Sequence, residues 1–265
     1  MRPALQDLAA RLARAEVEGT QVPAELPGAG QLTGLADAEQ VQDAVLGALG
    51  MVAASFKLGA STYGAQRALG LPRAFLAPLP AYRSLQGPSK LPWSALRQHG
   101  VECELAAALR PPTPAERALL REAPSPASLR LAESLVQSCH SAIEIPQTRF
   151  RALGAAGPLA LVADNGAAGW TIVGAAGDPG LLQKPCIGRL HVDGTLVAEG
   201  DDRAFAMDPL RLLQQFLHQA EARGLLPEHA TTVLLGSVTP YHALPGPCRV
   251  QARFEGLPGV ELDFC

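Results

Sequence analysis

Three glutamates hold the most chemical information in this chain. Glu102 and Glu104 stand two residues apart in Val101-Glu102-Cys103-Glu104-Leu105, and Glu144 stands alone between Ile143 and Ile145. In a strand, residues two apart share a face. Two carboxylates therefore meet on one face of a segment whose remainder, Leu105 to Leu109, is apolar. Like charges side by side repel, and burial would raise both pKa values, so a cation must compensate if both are to stay ionised. Three carboxylates from two strands suit a hard divalent cation such as Mg²⁺ or Mn²⁺, which prefers oxygen ligands and keeps positions for water or substrate. Spacing alone leaves a second reading equally open, with Glu102 and Glu104 on a solvated edge strand and Glu144 in a surface salt bridge, because charged residues are mostly exposed.

Lys57 stands near the end of the apolar run Ser55-Phe56-Lys57-Leu58-Gly59. Alone it reads as a lysine reaching out to water. Beside a carboxylate-bound cation it would instead bind an anionic substrate or move a proton, since lysine shifts its pKa when desolvated. Asp164-Asn165-Gly166 reads first as a turn. Ser237 and Thr239 read as loop hydroxyls after Gly236, at the end of a hydrophobic strand where a loop can approach a ligand closely. Cys103, between the two glutamates, points to the opposite face and is assigned to packing.

The elements that must carry these residues follow from periodicity. Leu5, Leu8, Leu12 and Ala15 predict a helix over residues 4–18, and Val41, Val45, Leu46 and Leu49 predict a second over 37–50, capped by Asp37. These two form a small N-terminal helical subdomain (residues 1–50). Residues 51–265 form the second unit. It has strands at 52–58, 101–109, 141–148, 169–174, 188–193, 195–199, 232–236, 248–254 and 259–264. Helices are expected at 62–69, 113–122, 126–138 and 208–223, the middle two capped by Thr113 and Ser125. Helices followed by a mostly β body indicate an α+β fold without regular βαβ alternation.

Composition narrows the function. The 265 residues are 48% hydrophobic and 18% charged, with a net charge of -3 and 5% aromatics. No basic patch or stacking platform calls for nucleic acid, no glycine-rich phosphate loop follows a strand, and no apolar stretch is long enough to cross a bilayer. The first residues lack the uninterrupted apolar core of a signal peptide. The five cysteines are scattered and odd in number, which fits reduced thiols in the cytoplasm.

In order along the chain, FKLGAST at 56–62, VECELAAAL at 101–109, SAIEIPQTRF at 141–150, VADNGAAGWTIVG at 162–174, HVDGTLVAEG at 191–200 and LLGSVTP at 234–240 resemble the fumarylacetoacetate hydrolase superfamily. The likeness is to its 2-oxopent-4-enoate hydratase and 4-oxalocrotonate decarboxylase branch. The resemblance implies a mixed β-roll with Mg²⁺ or Mn²⁺ held by Glu102, Glu104 and Glu144, and Lys57 managing protons. It also implies Asp164 and Asn165 near the site, Ser237 and Thr239 touching substrate, and a homo-oligomer able to associate with a pathway decarboxylase or hydratase. The activity implied is lyase chemistry, hydration or decarboxylation, on a small 2-oxo acid in a catabolic pathway. The chain departs from the pattern after the lysine segment, where Phe75-Leu76-Ala77-Pro78-Leu79-Pro80-Ala81-Tyr82 carries no acid. Ala206 to Leu210 lacks the usual histidine, and Pro245-Gly246-Pro247 replaces the usual acidic turn. These departures keep two alternatives open: an acylpyruvate-type C–C hydrolase, for which His99 and His140 are the histidines to test, and a non-catalytic metal- or ligand-binding member.

Overall fold

A computed structural model describes residues 1–265. Helix α1 (Pro3–Glu18) starts at a proline and stops where Gly19 turns left-handed at φ 68°, the usual division of labour between these two residues at helix ends. Helix α2 (Leu35–Ala48) begins two residues before the predicted start. Asp37 lies inside its first turn, accepting from the backbone N–H and hydroxyl of Thr33, so the N-cap position belongs to Gly34 and not Asp37. The remaining helices are α3 (Tyr63–Leu69), α4 (Pro114–Leu120), α5 (Pro126–Leu135), α6 (Leu153–Ala156), α7 (Pro158–Ala163) and α8 (Pro209–Ala222). Thr113 and Ser125 cap α4 and α5 as expected, each in a reciprocal capping box.

The strands are β1 (Ser55–Gly59), β2 (Phe75–Leu79), β3 (Ser84–Gln86), β4 (Ser89–Leu91), β5 (Gly100–Leu109), β6 (Val136–Ile145), β7 (Trp170–Val173), β8 (Ile187–Val192), β9 (Thr195–Asp201), β10 (Thr231–Ser237), β11 (His242–Ala243), β12 (Arg249–Phe254) and β13 (Val260–Phe264). One mixed sheet runs β2-β1-β10-β5-β6-β7-β3, with β11 paired to β5, and a second runs β4-β13-β12-β8-β9. This is the expected α+β fold. Its boundaries differ from the periodicity in instructive places. The strand expected at 52–58 starts at Ser55, because Val52 is 75% exposed and unpaired. The helix expected at 126–138 ends at Leu135, and the next strand begins at once with Val136, five residues before its expected start.

Apolar burial concentrates in two clusters. The larger joins both sheets and α8 through Phe56, Leu105, Ile143, Phe216, Val250 and Phe254. The smaller joins α1 and α2 to residues far along the chain: Leu5, Leu8, Leu12, Val41 and Val45 pack with Phe75, Phe150, Ala160 and Val162. Residues 1–50 thus share their core with the segment around α7.

Candidate metal centre and its cavity

Strands β5 and β6 pair antiparallel with Glu102 directly opposite Glu144 and Glu104 opposite Ala142. That register brings the three carboxylates together, and one oxygen from each lies within 4.8 Å of the others. Glu104 and Glu144 are only 2% and 1% exposed, and Glu102 is half-buried. The edge-strand alternative therefore fails, because β5 lies inside the sheet between β10 and β6.

Strand β10 adds a bulge. Its register against β5 shifts between Leu234 and Gly236, and the freed Gly236 N–H donates to Glu104 Oε2 at 2.8 Å. Gly236 sits at φ 129°, and a Cβ there would meet Ser61 Oγ at 1.7 Å; only glycine fits this conformation and this space.

Lys57, from β1, approaches Glu144 Oε1 to 2.8 Å. Glu144 Oε1 is buried, and this ion pair is its contact with a positive group. Burial works against the Lys57 ammonium, but Glu144, Glu102 and Glu104 outweigh it and hold its pKa above the ordinary lysine value. Burial, then repulsion from Glu144, pushes Glu102 up to about 7 against the pull of Lys57. Glu104 is driven well above the ordinary carboxylate range by burial, Glu144 and Glu102, against the opposing effects of Lys57 and the Gly236 amide. Three carboxylates against one ammonium leave a charge deficit that burial makes expensive. The all-oxygen donor set and its excess of negative charge fit a hard divalent cation.

The cluster opens into a cavity of about 390 Å³. Lys57, Ser237 and Thr239 line it with the three glutamates. Ser237 Oγ lies 2.7 Å from the Thr239 carbonyl and 3.1 Å from that of Cys103, and Thr239 Oγ1 accepts from the Cys103 N–H. The two hydroxyls thus also tie the loop after β10 to β5. Cys103 packs on the far face as expected, and burial pushes its thiol up to about 12.

Asp164 and Asn165 have other partners. Asp164 is buried against Arg149, whose Nε lies 2.5 Å from Oδ1, and accepts from Thr148 Oγ1 at 2.7 Å. Asn165 accepts from Gln42 Nε2 at 2.7 Å and donates to the Pro78 carbonyl at 2.9 Å. The cavity is lined instead by the next residues, Gly166 and Ala167. Gln98, Phe75 and Tyr241 also line it, and sequence reasoning did not single them out. Tyr241 directly follows the motif LLGSVTP. Phe75 opens the very segment that departs from the family pattern.

Full-length likeness to solved structures accompanies this geometry. 4-Oxalocrotonate decarboxylase from Pseudomonas putida G7, complexed with magnesium and adipate, matches with a TM-score of 0.84 at 19% identity over 100% of this chain and 98% of that one. The same enzyme complexed with calcium and acetate gives 0.82. Fumarylpyruvate hydrolase from Pseudomonas aeruginosa, in complex with Mn²⁺ and pyruvate, gives 0.55 at 15% identity over 80% of this chain and 89% of that one. No known family model matches the chain, and no curated protein matches its sequence. The chain has the fold of the fumarylacetoacetate hydrolase superfamily. Within that fold its N-terminal helices are also matched by the decarboxylase, which it covers end to end.

Proposed function

We propose that this chain is a divalent-metal-dependent lyase that hydrates or decarboxylates a small 2-oxo acid. The observation that carries this reading is the convergence of Glu102, Glu104 and Glu144, three carboxylates facing one ammonium, at the wall of a cavity that also holds Lys57. Glu102, Glu104 and Glu144 would hold Mg²⁺ or Mn²⁺, which supplies positive charge against the negative charge that develops on a 2-oxo acid as it reacts. With a cation held by the three glutamates, Glu144 would no longer depend on Lys57 as its counter-charge, and the Lys57 ammonium would be available to the cavity it lines. Lys57 is the one cationic side chain on the cavity wall, and it holds the proton that a reacting carbon would receive. Ser237 and Thr239 present hydroxyls to the same space, and the Gly236 N–H fixes Glu104 in place. Asp164 and Asn165 serve by anchoring the turn that carries Gly166 and Ala167 to the cavity edge.

The hydrolytic alternative gains no support from the cavity. None of its lining residues is histidine. His99 stacks on Trp93 with ring centroids 4.1 Å apart, and His140 Nδ1 bonds the Gly174 carbonyl at 2.8 Å.

Calorimetric titration of chelator-treated protein with Mg²⁺ and Mn²⁺, with and without oxalate, tests the proposal. Cation binding that oxalate strengthens, and that Glu144→Gln abolishes with the fold retained, is the expected result. Equal binding by the parent and by both Glu102→Gln and Glu144→Gln would overturn the site.

A further inference from the structure

Gly100, the first residue of β5, shares one face of that strand with Glu102 and Glu104. It has no side chain, and the Tyr241 ring takes the space. A Cβ on Gly100 would meet Tyr241 Cζ and Oη at 2.2 Å each. The row on this face of β5 therefore runs phenol, Glu102, Glu104. Tyr241 is 37% exposed and Glu104 only 2%, so the phenol stands at the mouth of the cavity and Glu104 at its inner end. Burial raises the pKa of the phenol above its ordinary value, Gln98 opposes this and Glu102 adds to it. The group is thus an O–H donor at neutral pH. The phenol attends Glu102, while Lys57 attends Glu144, the residue opposite Glu102 across the strand pair.

Gln98 and Tyr241 both line the cavity, and they differ from its Thr62, Ser237 and Thr239 in having no backbone partner. Ser237 Oγ is engaged with the Cys103 and Thr239 carbonyls, Thr239 Oγ1 with the Cys103 N–H, and Thr62 Oγ1 with the Ala65 N–H. Gln98 is held by its main chain instead. The buried Gln147 accepts from its N–H at 3.3 Å and donates to its carbonyl at 2.7 Å. The Gln98 side chain and the Tyr241 hydroxyl have only each other, so two positioned, neutral hydrogen-bonding groups face the cavity beside Glu102.

A 2-oxo acid that gives one carboxylate oxygen to a cation keeps the second free to accept hydrogen bonds. The cation already balances its charge, so neutral donors suit that oxygen. Resting on the function proposed above, we infer that Tyr241, with Gln98 beside it, is a substrate-binding residue that donates to the carboxylate of the 2-oxo acid. The substrate then lies across the centre, with its carboxylate toward Tyr241 and its reacting carbon toward Lys57. A hydrogen bond to a charged group is worth on the order of tenfold or more in affinity, and Tyr241→Phe removes it while keeping the ring on Gly100.

Calorimetry on full-length protein tests this, titrating first Mg²⁺ and then pyruvate into the Mg²⁺-loaded form. The expected result is that Tyr241→Phe binds Mg²⁺ like the parent and pyruvate about tenfold more weakly. Gly100→Ala, which displaces the ring but keeps the hydroxyl, should weaken pyruvate in the same direction and provides the reading if Tyr241→Phe folds poorly. Pyruvate bound as tightly by these variants as by the parent overturns the inference and leaves the proposed function standing. A tenfold loss of Mg²⁺ affinity in Tyr241→Phe also overturns it, because the phenol would then act by supporting Glu102. No metal-dependent binding of pyruvate by the parent overturns the proposed function itself.

Discussion

The chain buries charge in several places, and two of them are built on opposite plans. Around α1, Glu16 receives Arg83 at 2.8 Å, Arg97 at 2.9 Å and Arg149 at 3.3 Å, and Arg149 also pairs with Asp164. Three guanidinium groups serve two carboxylates, and both oxygens of each carboxylate have partners. At the β5–β6 pair, three carboxylates share one ammonium. The first arrangement is complete in itself and ties elements together. The second leaves an excess of negative charge that its own residues do not balance. A buried ionic cluster points to a ligand by its imbalance, not by the number of its charges.

The largest test of this contrast removes Arg149. Arg149→Met strands Asp164 and weakens the hold on Glu16, and should lower unfolding free energy by about 3–5 kcal/mol in denaturant titrations. A loss below about 1 kcal/mol would mean that the network is not structural. Next in size, Mg²⁺ or Mn²⁺ at a hundred times its Kd should stabilise the parent by about 2.7 kcal/mol and leave Glu144→Gln unchanged; thermal melts distinguish the two.

Smaller, and opposite in sign to an ordinary core substitution, Glu102→Gln should stabilise the metal-free protein by on the order of 1 kcal/mol at pH 8. The pH dependence follows from linkage. Glu102 rises to about 7 in the fold from an ordinary value of 4.5. The folded state therefore holds a proton that the unfolded chain has lost. The stability this provides is complete below pH 4.5 and is lost as pH rises through 7. Metal-free protein should accordingly melt lower at pH 8 than at pH 5, and cation uptake near pH 6 should release protons, seen as buffer-dependent heats. Glu16 runs the other way. Burial opposes its charge, but Arg149, Arg97 and Arg83 outweigh it and hold its pKa below 4.5, so its contribution is lost on acidification. The smallest effect is expected at the exposed Arg11–Asp7 pair on α1, where Arg11→Ala should change stability by less than about 0.5 kcal/mol in the same titrations.

Much of the centre was legible because strand periodicity is strict. Two glutamates at i and i+2, and one alone among isoleucines, announce a polar interruption in apolar strands. Sequence could not say that Glu102 and Glu144 would stand opposite each other, since register is set by the whole sheet. It could not show the β10 bulge either, because Leu234-Leu235-Gly236 reads as an ordinary strand end. Strand β2 was hidden by its composition: Phe75-Leu76-Ala77-Pro78-Leu79 has no alternation, and Pro78 argues against a strand. The structure places β2 at the sheet edge, where proline is tolerated. Asp164 and Asn165 were legible as a turn, but their partners Arg149 and Gln42 lie 15 and 123 residues away. No local pattern encodes such a pairing. The helix over residues 126–138 overran because Val136 continues its apolar spacing while already belonging to β6.

Gln42, fully buried on α2, donates to the Leu76 carbonyl at 3.0 Å and to Asn165 Oδ1 at 2.7 Å. One amide from the first fifty residues thereby fastens both β2 and the turn beside the cavity. The amino-terminal helices are consequently not an exchangeable module. A chimera that takes residues 1–50 from another protein would also have to import the matching stretches around Leu76 and Asn165, and inheritance of these three segments should be linked wherever such chains have recombined.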